Sequence, residues 1–137
     1  MRKVLLSISL CTLAWMAAAQ NPFKCKLINK EEKINLVIDL YEESIPVPGM
    51  DMFGPLHGYM NGNVYGIWMI TSAKIINEKE ASIRLSNDFG SETQEIKLTV
   101  ENDSTYNAEL VDGVVIKKVI KKKLVKIPQK ITFTKND

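Results

Sequence analysis

The sequence predicts an all-β domain: a single antiparallel meander of about eight strands, closed into a barrel, with a β-sandwich as the alternative. Three observations carry this. Apolar and polar residues alternate with period two along most of the chain, as they do when successive strand side chains point to opposite faces. Short Asn, Asp and Gly clusters separate the alternating runs. The composition is globular, with 45% hydrophobic and 25% charged residues over 137 positions, which excludes a disordered tail, a collagen-like chain and a polytopic membrane protein.

The first segment stands apart. Met1-Arg2-Lys3 is basic, Val4 to Met16 is apolar, and Ala17-Ala18-Ala19 offers small side chains. This is the layout of a secretory signal peptide cleaved after Ala19. The apolar run is shorter than the about 20 residues that a membrane span needs, and the alternative is a buried N-terminal helix. Leu10 is too large for lipidation at Cys11. Residues 1–19 are therefore expected to be a leader and residues 20–137 one all-β domain, exported to the periplasm or secreted. Only Cys25 then remains, so no internal disulfide is expected.

Alternation places strands at 23–29, 33–45, 63–77, 80–87, 92–101, 104–111, 114–122 and 129–135. Asn77-Glu78-Lys79, Asn87 to Ser91, Asn102-Asp103 and Asp112-Gly113 read as the turns between them. Ser44 to Asn63 reads as a long loop, because Pro46, Pro48 and Pro55 remove ladder donors and four glycines weaken a strand. Val114 to Ile127 also fits an amphipathic helix, with Val115, Ile116, Val119, Ile120, Leu124 and Ile127 on one side. The β-branched residues favour strands there.

The catalytic inventory is thin. His57 is the single histidine, and Cys25 shares an apolar face with Phe23 and Leu27. There is no nucleophile elbow, phosphate loop or dinucleotide fingerprint, so neither an enzyme nor a cofactor is expected. A metal site would need three convergent ligands; His57 with Asp51, Glu42 or Glu43 is the available set, and no metal is expected. A small hydrolase built around His57 remains a third reading of the chain.

The most distinctive stretch runs from Tyr59 to Thr71, where both strand faces are largely apolar between Val64 and Ile70. One face can fill the barrel; the other meets a ligand, a partner or the proline-rich loop folded back on it. Tyr59, Tyr65, Trp68 and Met69 are the candidate ligand-binding residues.

Gly66-Ile67-Trp68 resembles the Gly-x-Trp element of lipocalin-like (calycin) barrels. In that family the element lies on the first strand; here it falls on the third predicted one. Residues 63–135 resemble small exported β-barrel proteins of Bacteroidota, and the Ala19–Gln20 junction is similar to theirs. The resemblance implies a ligand-binding or inhibitory role and transfers no site residues. Asp103-Ser104-Thr105 resembles the short O-glycosylation motif of exported Bacteroidota proteins, and reads equally as an ordinary turn.

Charge is unevenly spread. Lys117, Lys118, Lys121, Lys122, Lys123, Lys126, Lys130 and Lys135 crowd the end of a chain whose earlier part is net acidic. These lysines form a basic face that attracts an anionic partner or serves as a solvated, edge-protecting surface. No aromatics interleave with them, so nucleic acid is not expected as a partner. The leading expectation is a non-catalytic binding barrel for a small apolar or amphipathic ligand, held in or at the mouth of the barrel. The alternative is a protein–protein or inhibitor module that uses the basic face of Lys117, Lys118, Lys121, Lys122 and Lys123.

Overall fold

The computed structural model describes residues 21–87 and 92–136. The expected leader and the tip of the Asn87–Ser91 turn lie outside them. Ten strands follow one another: β1 (Lys24–Asn29), β2 (Ile34–Asp39), β3 (Gly58–Gly62), β4 (Trp68–Ile75), β5 (Glu80–Asn87), β6 (Thr93–Val100), β7 (Thr105–Gly113), β8 (Lys117–Ile120), β9 (Lys123–Lys126) and β10 (Lys130–Lys135). Eight of them close into an antiparallel barrel in the order β1-β10-β7-β6-β5-β4-β3-β2. The remaining two, β8 and β9, form a separate hairpin between β7 and β10. The fold is thus a closed up-and-down meander, which leaves no unpaired sheet edge in the barrel.

The alternating residues explain the closure. Leu27, Leu36, Met60, Ile70, Leu85, Ile96, Ile83 and Phe133 point inward and are at most 2% exposed. Their neighbours in sequence, such as Lys26, Asn35, Arg84, Lys97 and Thr132, face outward. An apolar interior and a polar wall are the inverse of a lipid-facing barrel, whose outer band is apolar. Among the described residues no helix is long and apolar enough to cross a membrane. Two bulges keep the alternation in phase with the core. The register shifts between Ile70 and Ser72 on β4, and opposite Glu95/Ile96 on β7. Trp68 and Ile70 before the first bulge, and Ala73 beyond it, thereby share the inner face.

Four expected elements differ in the structure. The segment expected to be a loop from Ser44 to Asn63 contains β3. Gly58 and Gly62 have φ of 146° and 101°, and a Cβ on Gly58 would lie 1.9 Å from the Val37 carbonyl oxygen. They are glycines because β3 lies hard against β2, and not because the chain loosens there. The strand expected at 63–77 starts only at Trp68. The one expected at 33–45 stops at Asp39, where its carboxylate turns the chain. Lastly, 114–122 is not a barrel strand. Asp112-Gly113 is not a tight turn but the end of β7, and the lysine-rich segment folds on itself as β8–β9. The barrel still has eight strands because β3 takes the place that 114–122 was expected to fill. The helical reading of 114–127 fails, and β-branched propensity prevails.

Asp39 shows how the β2–β3 connection is held. Its Oδ1 accepts hydrogen bonds from the amides of Tyr41 (3.1 Å) and Glu42 (3.2 Å), and its Oδ2 accepts one from the Ser44 hydroxyl (2.5 Å). The side chain is 1% exposed, with Lys24 Nζ at 3.9 Å. Burial works to raise its pKa. The hydrogen bonds from Ser44, Tyr41 and Glu42, joined by the Lys24 charge, outweigh burial and hold the carboxyl below its ordinary value. A depressed folded pKa adds stability above the ordinary carboxylate range, and that stability is lost as pH falls through the depressed value. Asp39→Asn is therefore expected to cost about 1–3 kcal/mol at neutral pH. The gap to the parent protein should narrow in acid, below the ordinary carboxylate range. Thermal unfolding of both proteins across pH checks this, and a gap independent of pH would refute it.

Candidate functional site

The two ends of the barrel are unlike. One carries residues 21–23, the long 40–57 connection and the 76–79 and 101–104 turns. The other carries the 30–33 and 63–67 connections and the β8–β9 hairpin. The hairpin is fastened to its end at several points. Ile116 (0% exposed) and Ile127 (3%) join the interior cluster at the base of the hairpin. The Ile127 amide donates to the Ile116 carbonyl (3.0 Å), and the Tyr65 amide donates to the Lys117 carbonyl (2.7 Å). The Lys118 ammonium donates to both Glu32 carboxylate oxygens at 3.1 and 3.0 Å, with both side chains largely shielded from water. The base of the hairpin thus closes the barrel mouth as a lid, while β8 and β9 project beyond it with both faces largely exposed.

A cleft of about 490 Å³ opens beside this lid. Leu110, Val111, Val115 and Ile127 supply apolar wall, Lys126 supplies a cation and Asp112 an anion. Gln94 lines it too and is only 2% exposed. Its Nε2 donates to the carbonyls of Glu95 (2.9 Å) and Asp112 (2.8 Å), which clamps the β7 bulge and fixes the amide's orientation. Its Oε1 accepts no hydrogen bond among the described residues, an arrangement that ordinarily costs about 1–3 kcal/mol. Gln94 is in phase with Ile96 and Leu98, so strand alternation sends it inward although it is polar. On the other side of the lid, a smaller cavity of about 130 Å³ is lined by Tyr65, Trp68, Asn87, Glu92, Lys117 and Leu124, with Val115 between the two spaces.

The four candidate ligand-binding residues are divided by this geometry. Trp68 points into the barrel at 2% exposure, and its indole N–H donates to the Tyr65 carbonyl at 3.3 Å. Tyr65 is 52% exposed and shares the small cavity with Trp68. Tyr59 and Met69 pair across β3 and β4 on the outer face. Met69 is buried there outside the contiguous interior cluster, as is Val47 of the long connection. Among the basic residues, Lys117, Lys118, Lys121, Lys122 and Lys123 all fall on the hairpin. Their charge projects from one end of the barrel and does not spread over a wall of terminal strands.

The residues weighed for catalysis are otherwise engaged. Cys25 is buried, its thiol directed at the Pro22 carbonyl (3.7 Å). His57 Nδ1 lies 3.1 Å from the Asp39 carbonyl oxygen, and its own carbonyl accepts from the Asp39 amide. Among the described residues no three His, Cys, Asp or Glu side chains gather as a metal site. Ser104 sits at the exposed β6–β7 turn, bonded through its amide and hydroxyl to Asn102 Oδ1 at 3.0 and 3.2 Å. No protein-family model matches this chain, and no significant match exists among curated proteins or solved structures.

Proposed function

We propose that this protein is an exported, non-catalytic binding barrel of lipocalin-like kind, which takes a small anionic amphiphile at its mouth. Export rests on the leader pattern of residues 1–19, and the lipocalin relation on Gly66-Ile67-Trp68, whose tryptophan enters the barrel. The observation that carries the reading is the cleft beside the lid, where apolar walls and the exposed Lys126 line one space, with Asp112 at another part of its lining. Large apolar side chains fill the barrel interior, so the mouth takes the role that a hollow barrel would give its lumen. Pockets of roughly 300–1,000 Å³ with mostly apolar walls and few polar groups are the usual form of small-molecule sites.

The chemistry is simple. An apolar tail lies along Leu110, Val111, Val115 and Ile127, and a carboxylate or sulfate meets Lys126. Dodecanoate is a suitable probe. Calorimetric titration should show saturable binding, weakened at least tenfold by Lys126→Glu through loss of one cation and gain of one anion. Binding that is absent, or indifferent to Lys126→Glu, would sink the proposal.

A further inference from the structure

The tip of the hairpin is built against its own stability. Lys121 and Lys122 are its two turn residues, and both have positive φ, 49° and 66°. A two-residue turn of this form favours Asn-Gly, and lysine adopts it with strain. Lys117 sits directly opposite Lys126 across the ribbon, an unfavourable pairing of like charges. Lys118 alone of the six hairpin lysines is in an ion pair among the described residues. Apolar side chains are exposed between these charges: Val119 (45%), Ile120 (42%), Leu124 (53%) and Val125 (39%).

We propose that the hairpin tip docks into an anionic lipid surface. Charge supplies the first argument, since five unpaired lysines at one end of the molecule meet anionic headgroups and relieve their mutual repulsion. The arrangement of the aliphatic residues supplies the second. Val119 and Leu124 oppose each other on one face of the ribbon, and Ile120 and Val125 lie on the other face. A protein partner covers one face of such a ribbon. A headgroup layer surrounds both, taking up the aliphatic side chains while lysine stems reach back to the phosphates. The acidic remainder of the chain is then held away from the membrane, which fixes the orientation of the barrel.

The test is co-sedimentation of the protein with phosphatidylcholine vesicles, with and without phosphatidylglycerol. Binding is expected only with phosphatidylglycerol and should fall as salt rises. Lys121→Asn with Lys122→Gly removes two charges and installs the preferred turn, so the hairpin stays folded while vesicle affinity falls on the order of tenfold or more. Ile120→Ser with Leu124→Ser should weaken binding without changing its salt dependence. Equal binding to both vesicle types would overturn the proposal, as would binding unaffected by the turn variant. Salt-sensitive retention on immobilised polyglutamate without vesicle binding would also overturn it, and would assign the hairpin to acidic protein partners. Dodecanoate binding by the turn variant should match the parent protein, which separates this proposal from the cleft.

Discussion

Gly58→Ala is expected to cost more than about 3 kcal/mol, a large part of the roughly 5–15 kcal/mol that keeps a domain of this size folded. The new Cβ would sit 1.9 Å from the Val37 carbonyl oxygen and 3.0 Å from the Ile38 Cα, both backbone atoms that cannot swing aside. At φ 146° the alanine is strained even without that clash. Relief requires β3 to move away from β2, and the Ile38–Gly58 end of their ladder breaks first. Gly54 is the control. Its φ is 69° with ψ −173°, an extended positive-φ backbone that essentially only glycine adopts, and a Cβ there meets nothing within 4 Å, so Gly54→Ala costs only the backbone strain, about 1–3 kcal/mol. Urea unfolding of the two variants should separate them clearly, and equal losses would mean that the β2–β3 contact is not tight.

That pair of glycines shows why β3 was hidden. Glycine weakens a strand in isolation, and three prolines preceded it, so composition favoured a loop. The reason for the glycine is its partner strand, which the local sequence does not contain. The alternating runs were legible because each carries its own two-faced pattern. Ile34-Leu36-Ile38 and Ile96-Leu98, for example, are buried as the pattern requires. Strand ends were less legible wherever a side chain turned the backbone. Asp39 reads as one more polar residue in an alternating run, yet its bonds to Tyr41, Glu42 and Ser44 end β2.

The mouth was legible in parts. Charge counting found the lysines, because charge is additive along a chain. Their arrangement as a hairpin lid depends on Ile116 and Ile127 reaching the interior cluster, and on a turn made by two lysines where sequence rules look for Asn-Gly. Gln94 lies on the inward parity of Ile96 and Leu98, so alternation accounts for its burial; the cleft beside it depends on β7 and the base of the hairpin, which its local sequence does not contain. The aromatic stretch stood out in the sequence by its composition. Its residues serve different places, since strand alternation sends Trp68 inward and Met69 outward.

Trp68→Ala is expected to cost about 3–5 kcal/mol, the range for removing a buried tryptophan, and to loosen the lid as well. Trp68 lies at the start of β4, opposite Met60 on one side and Asn87 on the other, so its indole fills the barrel just beneath the mouth. The same ring holds the Tyr65 carbonyl, while the Tyr65 amide holds the Lys117 carbonyl of the hairpin. Loss of the indole therefore leaves a cavity and frees the loop that ties the lid to the barrel. Trp68→Phe keeps most of the volume and loses only the N–H bond, so it should cost far less. Denaturant unfolding followed by circular dichroism ranks the three proteins, and hydrogen exchange of the Tyr65 amide reports on the lid separately. In Trp68→Ala that amide should exchange faster than global unfolding accounts for. If it stays protected while stability falls, the lid is held by Glu32–Lys118 and the Ile116–Ile127 base alone. If neither changes, Trp68 does not pack where the structure places it.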